Sequence, residues 1–199
     1  GAIVADLNAD VVELGGGELA TTNNRMEIMA ALAAVEKILS MRLANDAVVK
    51  ICADSKYTID GITKWISGWK RRDWRNLEGD EVKNRDLWER LDRVFLALSK
   101  KVRCEWIYVP AHSGVEANER CDTIAVAFSK NEPLNLYKGE TSNYKVDLSI
   151  PEKGEKKDPY YLSYINGKIY RDLTWPACQA RVQGARGAKY KKCRSSREE

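Results

Sequence analysis

The chain has 199 residues, with 33 Lys/Arg against 29 Asp/Glu and a single His, for a net charge of +4. That length accommodates one fair-sized domain and an appendage. No apolar run is long enough to cross a bilayer, and the opening shows neither a basic leader nor an apolar core followed by a cleavage site, so neither a membrane span nor a signal peptide is expected. The first residue is Gly, not Met, and the chain is expected to be a fragment. Charge is unevenly spread. Residues 159–199 hold nine Lys/Arg against three Asp/Glu, a balance of +6, while the remainder stands at −2. A basic tail on a near-neutral body suits a polyanionic partner; the alternative is a solvated, disordered basic end. The five cysteines, Cys52, Cys104, Cys121, Cys178 and Cys193, have no zinc-type spacing. An odd, scattered set points to reduced thiols and a cytoplasmic protein.

Taken in order, Gly1-Ala2-Ile3-Val4-Ala5-Asp6 reads as a strand, and Val11-Val12-Glu13-Leu14 as its hairpin partner. Gly15-Gly16-Gly17 is a loop or bulge. As a phosphate cradle it is weak, because it lacks P-loop spacing. Thr22, Asn23 and Asn24 are good cap residues, and Glu27 stands where a capping-box acid would. Met26, Met29, Ala30 and Ala33 then follow at helical spacing, so a helix is expected from Asn23 to Leu39. Val48 to Ala53 is continuous and β-branched, the pattern of a central strand. A short helix to Asp60 is expected to break at Gly61. Ile62, Trp65, Ile66 and Trp69 define the next helix, followed by the basic, aromatic stretch Lys70-Arg71-Arg72-Asp73-Trp74-Arg75. Asn84 caps a helix with Leu87, Leu91, Val94, Phe95 and Leu98 on one face. Val102, Cys104, Trp106 and Tyr108 alternate as a strand. The loop Pro110-Ala111-His112-Ser113-Gly114 leads into a helix from Glu116 to Ser129, with Cys121, Ile124, Ala125 and Phe128 facing the core. Residues 131–158 have little apolar periodicity and read as a linker. Beyond them, Tyr160–Ile165 and Lys168–Tyr170 flank Asn166-Gly167, a strong hairpin signal. Thr174 caps a helix starting at Trp175, with Pro176 in its first turn.

Several residues carry chemistry. Asp54 lies at the carboxyl end of a strand, where ligands of open α/β sheets gather. With the helix-borne Glu27 it is placed to share a divalent cation. Asp122 and Glu119, one turn apart, add two more carboxylates, and His112 sits in the loop before them. Magnesium favours such hard oxygen ligands, a pair of ions can drive phosphodiester hydrolysis, and a nearby His can move protons. Each has a plain alternative: Glu27 as a helix cap, Asp122 as a solvated acid, His112 as a surface residue. Trp65 and Trp69 are core residues by spacing. Interleaved with Lys70, Arg71, Arg72 and Trp74, they also fit nucleic-acid contacts.

Together, Thr21-Thr22-Asn23-Asn24-Arg25-Met26-Glu27, Asp54-Ser55-Lys56-Tyr57, Gly61-Ile62-Thr63-Lys64-Trp65-Ile66, Lys83-Asn84-Arg85-Asp86-Leu87-Trp88 and Gly114-Val115-Glu116-Ala117-Asn118-Glu119-Arg120-Cys121-Asp122 closely resemble type 1 ribonuclease H over residues 1–130. The resemblance implies cleavage of the RNA strand of RNA–DNA hybrids with two magnesium ions, manganese being a possible substitute. By position it makes Glu27, Asp54 and Asp122 metal ligands and His112 a helper in turnover. It places Asn23 and Asn24 at RNA 2′-hydroxyls, Thr22 and Asn84 at a DNA phosphate, Tyr57 and Trp65 in the DNA channel, and Lys70 to Arg75 on a basic protrusion. Ala20 stands where some members place an Arg at the same phosphate. The family's first strand carries an Asp-Gly pair that supplies a fourth carboxylate. This sequence starts in the equivalent of the second strand, and Asp6 and Asp10 are poor substitutes. The segment from Tyr161 through Trp175 to Ala188-Lys189-Tyr190-Lys191-Lys192 resembles the hybrid-binding, viroplasmin-type module. That likeness implies a duplex grip by Trp175, Tyr190, Lys191 and Lys192.

The expectation is therefore an α/β protein: a ribonuclease H-like mixed central sheet flanked by helices over 1–130, a linker at 131–158, and a small, incomplete α/β module at 159–199. Its expected partner is an RNA–DNA hybrid, with double-stranded RNA a further candidate through the module, and the expected state is a monomer. The alternatives are a catalytically inactive hybrid-binding or double-stranded-RNA-binding protein, and the ribonuclease H portion of a retroelement polyprotein.

Overall fold

In the computed structural model, residues 1–44, 46–150, 160–185 and 187–193 are described. They divide into two compact units, one of residues 1–111 with 116–149 and one of 112–115 with 150–199. The expected linker residues 151–158 and the module's end, 194–199, lie outside the described residues.

In the first unit, helix α1 (Asn23–Leu39) buries Ile28, Leu32 and Val35. Their i, i+4, i+7 spacing lays a single stripe along the helix. The stripe packs into a core with Ile51 of β3 (Val48–Ala53) and Leu87, Trp88, Leu91 and Leu98 of α4 (Arg85–Ser99). Each such side chain contributes roughly 1.5–3 kcal/mol when withdrawn from water. Strands β1 (Ala2–Ala5) and β2 (Asp10–Leu14) form the expected hairpin, in antiparallel register from Ala2↔Leu14 to Ala5↔Val11. Strand β3 pairs in parallel with β4 (Arg103–Tyr108).

The mixed character of the sheet is present but divided. Strand β1 has its one partner in β2 and β3 has its one partner in β4, so the described strands of this unit make two sheets. The central place expected of β3 is thus an edge here, and Val48 and Cys52 on its outer face are exposed. A second difference lies in the expected linker. Lys138–Glu140 forms β5, which pairs antiparallel with β2 and completes a β1-β2-β5 order. A three-residue strand is too short to show an alternating pattern, which is why periodicity missed it. The last helix, α5 (Glu116–Ser129), buries Ile124 and Ala127, while Ala125 is exposed, contrary to the expected core face. Phe128 instead leans on Gly15, where a Cβ would stand 2.2 Å from its ring.

Gly61 does not break the helix. Helix α2 (Lys56–Asp60) runs through a π-helical turn at Gly61–Trp65 into α3 (Ile66–Arg71). Gly61 has ordinary helical angles; its role is space. A Cβ there would lie 2.2 Å from Cη2 of the fully buried Trp88. Gly61→Ala is expected to destabilise the protein by about 1–3 kcal/mol through overpacking. Urea denaturation measures this; an unchanged midpoint would mean that Trp88 repacks without cost.

The second unit carries a β7-β6-β8 antiparallel sheet of β6 (Tyr160–Ile165), β7 (Lys168–Asp172) and β8 (Lys189–Cys193). Asn166 and Gly167 both take positive φ, as a type I′ hairpin requires. Helix α6 (Trp175–Val182) starts at the expected cap, with Thr174 Oγ1 accepting from the Ala177 N–H at 3.4 Å. Arg181 forks onto the buried Asp172 at 2.9 and 3.1 Å, which ties helix to sheet. No described helix is long and apolar enough to cross a membrane.

Candidate active site and nucleic-acid interface

Strand β3 ends at Ala53, which leaves Asp54 half-buried at its carboxyl end. Ser55 then turns the chain into α2. Its Oγ accepts from the Thr58 N–H at 3.1 Å, and its own hydroxyl donates to Glu27 Oε2. The cap reading of Glu27 is tested by the start of α1. The cap of α1 is Thr22, whose Oγ1 accepts from the Arg25 N–H at 3.3 Å. The capping-box position is therefore Arg25. The cap reading of Glu27 is corrected, because the helix starts earlier than a cap at Asn24 would require.

Helix α5 approaches from the other side. Asn118 Nδ2 donates to Asp54 Oδ2 at 3.2 Å. Asp122 lies one turn further along, on the same helix face as Asn118. Burial pushes the Cys121 thiol up to about 11, and the charges of Asp122, Asp54 and Glu13 add to it. Glu119 stands half-buried on the same turn as Asn118. These are hard oxygen donors, the type Mg²⁺ takes. Yet among the described residues no three of His, Cys, Asp and Glu stand close enough to enclose a cation. Asp54 ends β3 and Glu27 and Asn118 bond beside it, yet three such groups do not gather as a cation site among the described residues, so as they stand they do not fit a metal ion. His112 has a left-handed φ of 53° and groups with the second unit.

The expected nucleic-acid residues separate into three groups. Thr22, Asn23 and Asn24 are exposed at the start of α1. Arg25 binds Glu18 at 2.7 Å and forks onto Asp86 at 2.8 and 2.9 Å, which draws the start of α4 to the start of α1. There Asn84 has a left-handed φ of 61°, and its carbonyl accepts from the Leu87 and Trp88 N–H groups. Its side chain makes no cap bond. Tyr57 packs against Trp65 and Trp88, with ring centres 6.0 and 5.5 Å away, and Trp65 keeps 39% of its surface exposed. Trp69, in contrast, is buried against Trp88 at 5.4 Å, so its expected nucleic-acid role is corrected to a core role. Arg71 and Arg72 are exposed, Lys70 pairs with Asp92 at 2.6 Å, and half-buried Trp74 faces the Arg85 guanidinium at 5.5 Å. In the second unit, Trp175 lies between Tyr161 and Tyr190, with ring centres at 5.4 and 5.1 Å. Lys192 shares that face, 5.8 Å from the Tyr161 ring. Strand alternation turns Lys191, opposite Leu162, to the other face.

The RNase H family matches residues 2–130 of this sequence. The chain belongs to the RNase H family. It is 51% identical over 113 residues to the Ribonuclease HI of Xylella fastidiosa (strain 9a5c), covering 57% of this chain and 69% of that one. It is 42% identical over 136 residues to the Ribonuclease H of Prochlorococcus marinus (strain NATL2A), covering 68% and 80%. Among solved structures, LC9-RNase H1, described as a type 1 RNase H with the type 2 active-site motif, aligns at 24% identity with a TM-score of 0.49, over 67% of each chain. Residues 166–198 match a second family, the Ribonuclease H1 N-terminal domain. As a ribonuclease H the chain is a nuclease of the hydrolase class. Sequence reasoning about this ribonuclease H missed Ser55 and Asn118, the two side chains that touch Glu27 and Asp54. Asn118 was findable, since it precedes Asp122 by one helical turn.

Proposed function

We propose that this chain hydrolyses the RNA strand of RNA–DNA hybrids at the edge formed by Glu27, Asp54 and Asp122. The observation that carries this is the Asn118–Asp54 bond. It draws the face of α5 that bears Asp122 to the strand end where Ser55 already holds Glu27. Exposed Asn23 and Asn24 then face the RNA, whose 2′-hydroxyls distinguish it from DNA. Thr22 and Asn84 take a DNA-strand phosphate. Trp65 offers its open face to the DNA strand, and Arg71 and Arg72 follow the backbone. Magnesium or manganese is the proposed cofactor, as a pair of ions. The carboxylates seen here do not enclose an ion, so a further acidic donor or a closer approach is required before they hold one. His112 is proposed to assist turnover, in a monomer working with reduced thiols in the cytoplasm.

The test is an end-labelled hybrid incubated with Mg²⁺ or Mn²⁺ beside the same RNA as a single strand and as an RNA duplex. Cuts in the RNA of the hybrid alone are expected. Equal cutting of single-stranded RNA would overturn the reading.

A second reading, binding without cleavage, is favoured by the ring cluster of the second unit, where Trp175 lies between Tyr161 and Tyr190. We propose that Trp175, Tyr190 and Lys192 hold hybrid, or double-stranded RNA, in either case. Aromatic faces meet sugars or bases while the ammonium meets phosphate. Trp175→Ala with Lys192→Ala is expected to weaken hybrid binding and to flatten the plot of log K against log salt by about one unit, the loss of one phosphate contact. An unchanged slope in the folded variant would instead mark the tail as a solvated basic surface.

A further inference from the structure

The residues after the family match contribute the contacts of a buried acid. Glu13 lies on β2, on the same face as the fully buried Val11, with 4% of its surface exposed. A carboxylate withdrawn that far from water is tolerated only when its oxygens are bonded. Glu13 has four such bonds. Arg120 of α5 donates to Oε1 and Oε2, both at 2.7 Å, the Tyr144 hydroxyl to Oε1 at 2.8 Å and the Tyr137 N–H to Oε2 at 2.9 Å. The Arg120 guanidinium beside it, with the Tyr137 and Tyr144 bonds adding, holds the carboxyl down at about 2 against the cost of burial.

The same stretch grips α5 twice more. Arg120 also donates to the Asn135 carbonyl at 3.1 Å, and the Asp147 N–H donates to Glu116 Oε2 at 3.0 Å, in the helix's first turn. The Tyr137 and Tyr144 rings pack on one another in a tilted pair, with centres 4.9 Å apart. Contacts at Glu116 and Arg120 therefore flank Asn118, the residue that reaches Asp54. A planar guanidinium forked onto a fixed carboxylate sets the rotation of the helix that carries it. At the roughly 5 Å radius of a helix's side chains, a 20° rotation moves a carboxylate by about 2 Å. Misplacement by about 1 Å already costs on the order of 10²-fold in rate.

We propose that residues 135–147 are a brace for α5, and that Glu13 and Tyr144 are positioning residues that act through Arg120 to aim Asn118 and Asp122 at Asp54. The link to catalysis rests on the hydrolytic function proposed above; the brace itself does not. Neither Glu13 nor Tyr144 touches the nucleic acid in this assignment. Their effect falls on turnover and not on binding.

Tyr144→Phe in the full chain removes the hydroxyl bond and keeps the ring on Tyr137. Its kcat on a hybrid is expected to fall roughly 10- to 100-fold with KM nearly unchanged, and Glu13→Gln is expected to fall further. A second readout follows the helix directly. Cys121 on α5 and Cys104 on β4 are both half-buried thiols. Alkylation rates resolved by peptide mass spectrometry should rise at Cys121 and stay constant at Cys104. Parallel acceleration at both would show general loosening and overturn the brace, as would an unchanged Cys121 rate with unchanged kcat. Selective acceleration at Cys121 in a chain that cuts no hybrid supports the brace and overturns the hydrolytic reading instead.

Discussion

Adding an extended segment with an Asp-Gly pair ahead of Gly1 is expected to raise Mg²⁺-dependent hybrid cleavage by about 10²-fold or more, the scale set by correct placement of reacting groups. Strands β1 and β3 each have a single partner among the described strands, so each presents one unpaired edge. The two edges share their coverings. Helix α1 packs on β1 and, through its buried stripe, on Ile51 of β3. Helix α5 lies on Gly1 through its Cys121 carbonyl and Ile124, and reaches Asp54 at the end of β3. An added strand pairing with both edges would join two sheets into one and bring a carboxylate toward Glu27 and Asp54. Unpaired edges also template association with other chains. The extended protein should therefore stay a monomer at high concentrations, where the open edges of the otherwise monomeric unextended chain begin to pair. Equal cleavage and equal sedimentation of the two would show that neither edge takes a strand.

Asp54→Asn in that extended protein is expected to abolish cleavage while hybrid binding persists. The substitution is nearly isosteric and keeps an acceptor for Asn118 Nδ2, so the hold of α5 on the strand end should survive. What disappears is a negative charge at the proposed reacting edge, where cation and phosphate charge must be balanced. Filter binding and cleavage are measured on the same hybrid. Near-normal turnover would remove Asp54 from the reaction, and lost binding would make it a contact residue.

Much of the fold was legible because it repeats a pattern. Helix α1 showed itself through its caps and apolar spacing, although its buried stripe is Ile28, Leu32 and Val35 and not Met26, Met29, Ala30 and Ala33, the last of which is exposed; the C-terminal hairpin showed itself through Asn166-Gly167, and α6 through Thr174 and Pro176. What stayed hidden depends on partners distant in sequence. Nothing in Val11-Val12-Glu13-Leu14 itself marks Glu13 as a buried acid, because its fork comes from Arg120, more than a hundred residues later. Strand β5 exists because β2 offers an edge, a fact absent from Lys138-Gly139-Glu140 itself. At the candidate site the acids were readable as strand-end and helix residues. The polar groups that hold them, Ser55 and Asn118, are ordinary residue types whose role appears only when β3, α1 and α5 meet. Trp69 had both a core and an interface reading, and Trp88 decided between them by occupying its other side.

The π-helical turn at Gly61–Trp65 shifts the phase of the aromatic residues around it. Each wider turn holds an additional residue, so the side chains before and after it are indexed differently from those of an uninterrupted α-helix. Tyr57 meets Trp65 across eight positions, an interval that α-helical counting would place well around the cylinder. Trp65 and Trp69 then follow at the usual four. The insertion is thus a gear offset that brings two aromatic registers into mesh over Trp88. Deleting one residue within it would leave a regular helix in which Tyr57 and Trp65 are seven positions apart, within about 20° of one face, so the phase of the residues after the turn would be nearly kept.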